Sequence, residues 1–213
     1  MYLKIQTWQM DMKIKKLLSL NTYKLNLKEY RRLIDEDAFA LSTFGGGTGA
    51  LSRGQKKTVE YKAVELFRFY QVNKKNIWGQ ISKIAINHYN RKYGLDFFNN
   101  MSIDAGLVIG HWGRIIINCN TKIGKQFMVT HGVTIGRDVR GKRKGYPTIG
   151  DRVCIRTNST VVGNITIGDD VLIAPNTFVN FDVPSNSIVI GNPARIIPRK
   201  NASEGHVGRL PNE

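Results

Sequence analysis

Cysteine is nearly absent. Cys119 and Cys154 are the only two in 213 residues, too few for a disulfide framework. No stretch approaches the roughly 18 consecutive apolar residues of a membrane span. The N-terminal MYLKIQTWQMDMKIKKLL carries an acid and lysines where a signal peptide has its apolar centre, so no export signal is expected. These absences predict a cytoplasmic protein. With 41% apolar residues, the chain is long enough for one or two domains with a real core.

Acidic residues are also scarce. Sixteen aspartates and glutamates face 32 lysines and arginines, leaving a formal charge of +16. Both halves share the excess, so anionic partners are expected: nucleic acid, anionic lipid, a phosphorylated cofactor or an acidic polymer. Nucleic acid is disfavoured, because the chain has no zinc-finger spacing and no aromatic RNA-binding motif. Metal is disfavoured as well. There are four histidines and no H-x-x-x-x-H pair, where a zinc site of this kind would need three converging ligands.

Two periods divide the chain. Residues 1–95 read as helical. Trp78, Ile81, Ala85 and Tyr89 recur at helical spacing, and KAVELFRFYQV at 62–72 behaves alike. STFGGGTGALSRGQKK, between helical stretches, is too glycine-rich for a helix and lacks the G-K-[ST] ending of a phosphate loop. Beyond about residue 100 the aliphatics fall six apart: Ile117, Ile123, Val129 and Ile135, then Ile149, Ile155, Val161, Ile167, Ile173 and Val179. Neither 3.6 nor 2.0 residues per turn produces that spacing. It predicts a hexapeptide solenoid in which six residues make one short strand and a corner, and three such units close a coil. Ile135 and Ile149 are fourteen apart instead of six. Eight residues therefore loop out at one corner, where a stacked core tolerates them.

His88 and His206 lie in the helical segment and a polar tail. His111 and His131 lie in the repeat, where a histidine with no second ligand in view is a candidate general base. The segment 94–197, running GLDFFNNMSIDAGLVIGHWGRIIIN through HGVTIG, YPTIGDRVCI and VVGNITIGDDVLIAPN to GNPARII, resembles the hexapeptide-repeat acyltransferases. Within them it is most similar to serine acetyltransferases and to O-acetyltransferases of bacterial surface-polysaccharide clusters. The resemblance implies a mainly β fold with a helical N-terminal region. Its parts would be helices over 1–95, a left-handed parallel β-helix over 96–198 with a loop at 137–146, and a polar tail over 199–213. It also implies a homotrimer using acetyl-coenzyme A, with no metal.

By the same resemblance GLVIGH makes His111 the general base, and Asp96, fifteen residues upstream, its orienting carboxylate. His131 would line the acceptor or pantetheine side. Arg137, Lys142 and Arg143, in an arm that also holds Arg140 and Lys144, are candidates for the coenzyme phosphates, which cations hold by charge-assisted hydrogen bonds. Thr157 and Pro175 would flank pantetheine, and Arg195 in GNPAR the nucleotide. The family's serine enzymes carry an acid before the histidine and an Arg-His pair before the re-entry proline. Here Gly110, Gly145 and Tyr146 stand instead. Those departures predict a saccharide acceptor, anionic or lipid-linked, packed by Trp112 and Tyr146. The basic N-terminal region is then a candidate for peripheral contact with the inner face of the membrane. Serine O-acetylation is the alternative, and a non-catalytic solenoid binding an anionic polymer is the rival from another class.

Overall fold

The structure, a computed structural model, describes residues 24–96 and 101–211. The segment read for an export signal and membrane contact lies largely outside them. Helix α1 (Leu27–Thr43) starts where the Asn26 side chain accepts the Glu29 N–H, and α2 (Val59–Asn73) where Thr58 accepts that of Tyr61. The Asn76 side chain accepts the Gly79 N–H at 3.1 Å to open α3 (Ile77–Tyr93). Each cap fills an N–H that the first helical turn leaves unpaired. Gly94, in the left-handed region that glycine enters without penalty, stops α3. No helix among the described residues is long and apolar enough to cross a membrane.

The six-residue period becomes strands. β1 (Leu95–Asp96), β2 (Val108–Ile109) and β3 (Ile115–Ile117) begin the coil. β4 (Lys122–Ile123), β5 (Met128–Val129) and β6 (Thr134–Gly136) follow, then β7 (Thr148–Ile149), β8 (Val153–Ile155) and β9 (Thr160–Val162). β10 (Thr166–Ile167), β11 (Val171–Ile173) and β12 (Phe178–Val179) continue it, and β13 (Ser187–Gly191) and β14 (Ala194–Pro198) end it. The chain visits three sheets in rotation. Sheet I is β1-β3-β6-β9-β12, sheet II is β4-β7-β10, and sheet III is β2-β5-β8-β11-β13-β14. All pairings are parallel except β13 with β14.

Each aliphatic stacks on its counterpart in the next coil. Ile117 pairs with Ile135, Ile135 with Val161 and Val161 with Val179 on sheet I. Ile123, Ile149 and Ile167 align on sheet II, and Val129, Ile155 and Ile173 on sheet III. All of these side chains are buried, each worth about 1.5–3 kcal/mol in apolar transfer. The ladder passes from Ile135 to Val161 without a break, so the extra eight residues project from a corner and leave the core in register.

The helices are fastened to the coil by a buried ion pair. Arg68 Nε and Nη2 donate to Asp37 Oδ2 and Oδ1 at 2.6 and 2.9 Å, and Nη2 also donates to the Asp104 carbonyl at 2.7 Å. Asp37 Oδ1 accepts the Gly106 and Leu107 N–H groups at 2.9 and 2.8 Å. Burial pushes the Asp37 carboxyl up, and Arg68 with the two backbone donors opposes that push.

Two expectations change in detail. The stripe Trp78, Ile81, Ala85 and Tyr89 of α3 faces inward only in part: Tyr89 packs against the core, Trp78 and Ile81 are exposed, and Gly79, Ser82 and Ile86 are the buried positions. A Cβ on Gly79 would lie 2.2 Å from the Asn73 carbonyl oxygen. The tight turn out of α2 therefore decides which face of α3 turns in. The polar tail is packed, with Ala202 and Ser203 buried. Asp170 accepts the N–H groups of Ala202 and Ser203, and Arg209 N–H reaches Thr43 Oγ1 at 2.9 Å.

Candidate active site

His111 follows β2 on the corner where sheet III turns into sheet I, and His131 follows β5 on the same corner one coil on. Their ring centroids are 6.0 Å apart with planes at 62°. His111 is exposed and His131 half-buried. Backbone bonds fix the column: Gly132 N–H donates to the Gly113 carbonyl, Asn158 N–H to that of His131, and Asn176 N–H to that of Thr157. Thr157 and Pro175 therefore stack on the histidine corner, as Thr130 Oγ1 and Thr157 Oγ1, 3.2 Å apart, also indicate. The column runs to the β13–β14 hairpin, where Arg195 pairs with Ile190. Four strand spacings, about 19 Å, separate the two ends.

Asp96 sits on β1 opposite Ile116 of β3, with its side chain outward on sheet I. No hydrogen bond joins it to His111 in the single chain. Trp112 leans edge-on against Tyr93, centroids 5.4 Å apart, and its backbone N–H donates to Glu60 Oε1 at 3.3 Å. Nothing in the sequence around Glu60 marked it as a neighbour of this corner.

The basic loop stands elsewhere. It leaves sheet I after β6 and enters sheet II at β7, on the next corner round. Asp138 and Gly145 close it by exchanging N–H and carbonyl, and Asn164 N–H holds the Arg143 carbonyl at 2.8 Å. Tyr146 is hydrogen-bonded to the Arg137 and Asn120 side chains, and the Arg137 bond holds its phenol below the usual tyrosine range. Arg137, Lys142, Arg143 and Tyr146 are thus separated, within one chain, from His111, His131, Thr157, Pro175 and Arg195 by the width of sheet I.

Neither cysteine sits beside the histidines as a nucleophile. Cys154 is buried with its Sγ donating to Met128 Sδ, and burial pushes its thiol up to about 12. Cys119 is exposed near Tyr146. Among the described residues no group of three or more His, Cys, Asp or Glu side chains could hold a metal.

Residues 146–180 match the family model described as bacterial transferase hexapeptide (six repeats). A serine acetyltransferase of Helicobacter pylori is 36% identical over 106 residues, half of this chain and 62% of that protein. One from Mycobacterium tuberculosis is 36% identical over 114 residues, 53% of this chain and 49% of its own length. The chain thus carries hexapeptide repeats and is similar over half its length to serine acetyltransferases. It spans less than two thirds of the length of these curated relatives. Among solved structures, serine acetyltransferase of Neisseria gonorrhoeae in complex with serine superposes with TM-score 0.66 at 23% identity, over 79% of this chain and 69% of that one. Isoform 3 of Entamoeba histolytica in complex with cysteine gives 0.61 at 26% identity, over 76% and 58%.

These findings overturn the expectation of a saccharide acceptor, since the relatives are serine acetyltransferases by name. The residues that suggested a sugar have other causes. A Cβ on Gly110 would lie 2.6 Å from Met128 Cε and 3.0 Å from Thr130 Cγ2, so a side chain there requires Met128 to shift. Gly145 has φ +142° and a Cβ there would lie 2.9 Å from Asn164 Cβ, so loop closure requires glycine. The Tyr146 hydroxyl is engaged by Arg137 and Asn120. None of the three requires a saccharide, and the basic surface is no reason to invoke a glycan or a membrane.

Proposed function

We propose that this serine acetyltransferase-like protein transfers acetyl from acetyl-coenzyme A to the hydroxyl of L-serine, with His111 as general base. The observation that carries the reading is the identity with serine acetyltransferases over half the chain, joined to a histidine at the head of a corner column. A hydroxyl with a pKa far above neutrality needs a base as it attacks the thioester, and imidazole titrates near neutrality. His111 takes the hydroxyl proton as the oxygen bonds to the thioester carbon, then returns it to the departing sulfur. Asp96, outward on sheet I, is the carboxylate we assign to steady the imidazolium. The pantetheine arm lies along the His131, Thr157 and Pro175 column, with Arg195 at its phosphate end.

The coil is a left-handed β-helix over 96–198, preceded by a helical region. Three chains assemble around sheet I. Ile116 and Phe178 are exposed on that sheet, at 43% and 37%. The histidine column borders one of its edges and the loop of Arg137, Lys142 and Arg143 the other, so the loop of one chain completes the histidine corner of its neighbour. The reaction takes place in the cytoplasm, where acetyl-coenzyme A is available. Incubation with acetyl-coenzyme A and L-serine should release free thiol and yield O-acetylserine by mass spectrometry. Serine-independent or absent thiol release refutes the function, and a monomer by light scattering refutes the shared site.

A further inference from the structure

Resting on the serine reading above, we propose that Glu60 is the residue that recognises the ammonium group of the acceptor. Residue 110 is glycine, so the position preceding His111 supplies no negative charge. Glu60 comes from the first turn of α2 and meets the turn immediately after His111, with Oε1 accepting the Trp112 N–H at 3.3 Å. Among the described residues its other oxygen, Oε2, has no hydrogen-bond partner and Glu60 enters no ion pair. A carboxylate held by one oxygen at the residue that follows the base in sequence is suited to an ammonium ion. Trp112 is in turn braced by Tyr93 at 5.4 Å, so the turn that aims Glu60 is fixed from α3 as well. The N-terminal position on α2 also favours a negative side chain through the helix dipole.

The test compares L-serine with 3-hydroxypropionate, which keeps the hydroxyl and carboxylate and lacks the amino group. Glu60→Gln preserves the bond from Trp112 and removes the charge. The KM for L-serine should rise about ten- to a hundredfold, the range for losing a hydrogen bond to a charged group. The KM for acetyl-coenzyme A and that for 3-hydroxypropionate should hold, so the preference of the wild type for serine collapses. Glu60→Asp, which keeps the charge, should retain part of that preference. Equal KM increases for both acceptors would mean that Glu60 only shapes the Trp112 turn and would overturn the proposal, as would an unchanged KM for serine. A wild-type protein that leaves serine untouched overturns the serine reading itself, a result distinguishable from either.

Discussion

Replacing Arg68 with methionine should cost more stability than any exposed substitution in the molecule. Arg68 is fully buried and bonds Asp37 through two nitrogens, with further bonds to the Ile103 and Asp104 carbonyls and Gln71. Methionine fills most of the volume and leaves Asp37 with only the Gly106 and Leu107 donors. Breaking a buried pair from one side costs about 3–5 kcal/mol, because a charge is left unpaired away from water. For a chain of this size that is a fall in Tm of roughly 6–20 °C. The penalty should depend on pH. Without Arg68, only the Gly106 and Leu107 donors oppose burial at the Asp37 carboxyl, and its folded pKa climbs further above the unfolded value of about 3.9. A carboxyl raised in the folded state contributes stability that is present below the unfolded pKa and lost as pH rises through the folded one. The gap between wild type and Arg68→Met should therefore widen from pH 4 toward pH 7. Adding Asp37→Leu should recover part of the loss, since an apolar pair needs no partner charge. Urea melts across that pH range provide the measurement. A loss under about 1 kcal/mol, or a gap indifferent to pH, refutes the account of Asp37 and Arg68 as a charged lock.

His111→Ala should lower kcat by about two to four powers of ten with acetyl-coenzyme A still bound by calorimetry, and His131→Ala by less; the reverse order would move the base to His131. Gly110→Asp should cost about 1–3 kcal/mol in thermal melts through its clash with Met128 and Thr130, and an unchanged Tm would show that the corner has room. Asp170 feels burial, which raises its pKa, yet bonds from Ser203 and Ala202 and the charge of Arg152 hold it below the usual carboxylate range. Its contribution is present above the unfolded pKa and lost as pH falls through the folded one, so carboxypeptidase should trim the tail faster in acid and Asp170→Asn should trim fast at neutral pH.

Much of the coil was legible because its signal is local and repeated. Ten aliphatics in two registers specify the ladder, and the fourteen-residue step from Ile135 to Ile149 specifies the loop. The corner on which that loop stands was not legible. It depends on counting strands around three faces, which sets Arg137 and Tyr146 apart from His111 although they follow His131 closely in sequence. The α3 stripe misled because its large residues gave the period while the small ones, Gly79 and Ser82, gave the contact. Gly110 was read as a lost contact, and the close approach of Met128, eighteen positions on, was not legible beside it. Glu60 reaches Trp112 across 52 residues, and one glutamate in an ordinary first helical turn carries no mark of a distant neighbour.

A stack of parallel coils is a polymer with no internal reason to stop, since the last turn presents the same open hydrogen-bonding edge as every turn before it. β14 changes direction, runs antiparallel along β13 and finishes on Pro198, which has no N–H to offer a further strand. The chain that follows doubles back to anchor at Asp170 and Thr43. The reversal at β14 and the anchored segment after it therefore cover the open edge of the last coil.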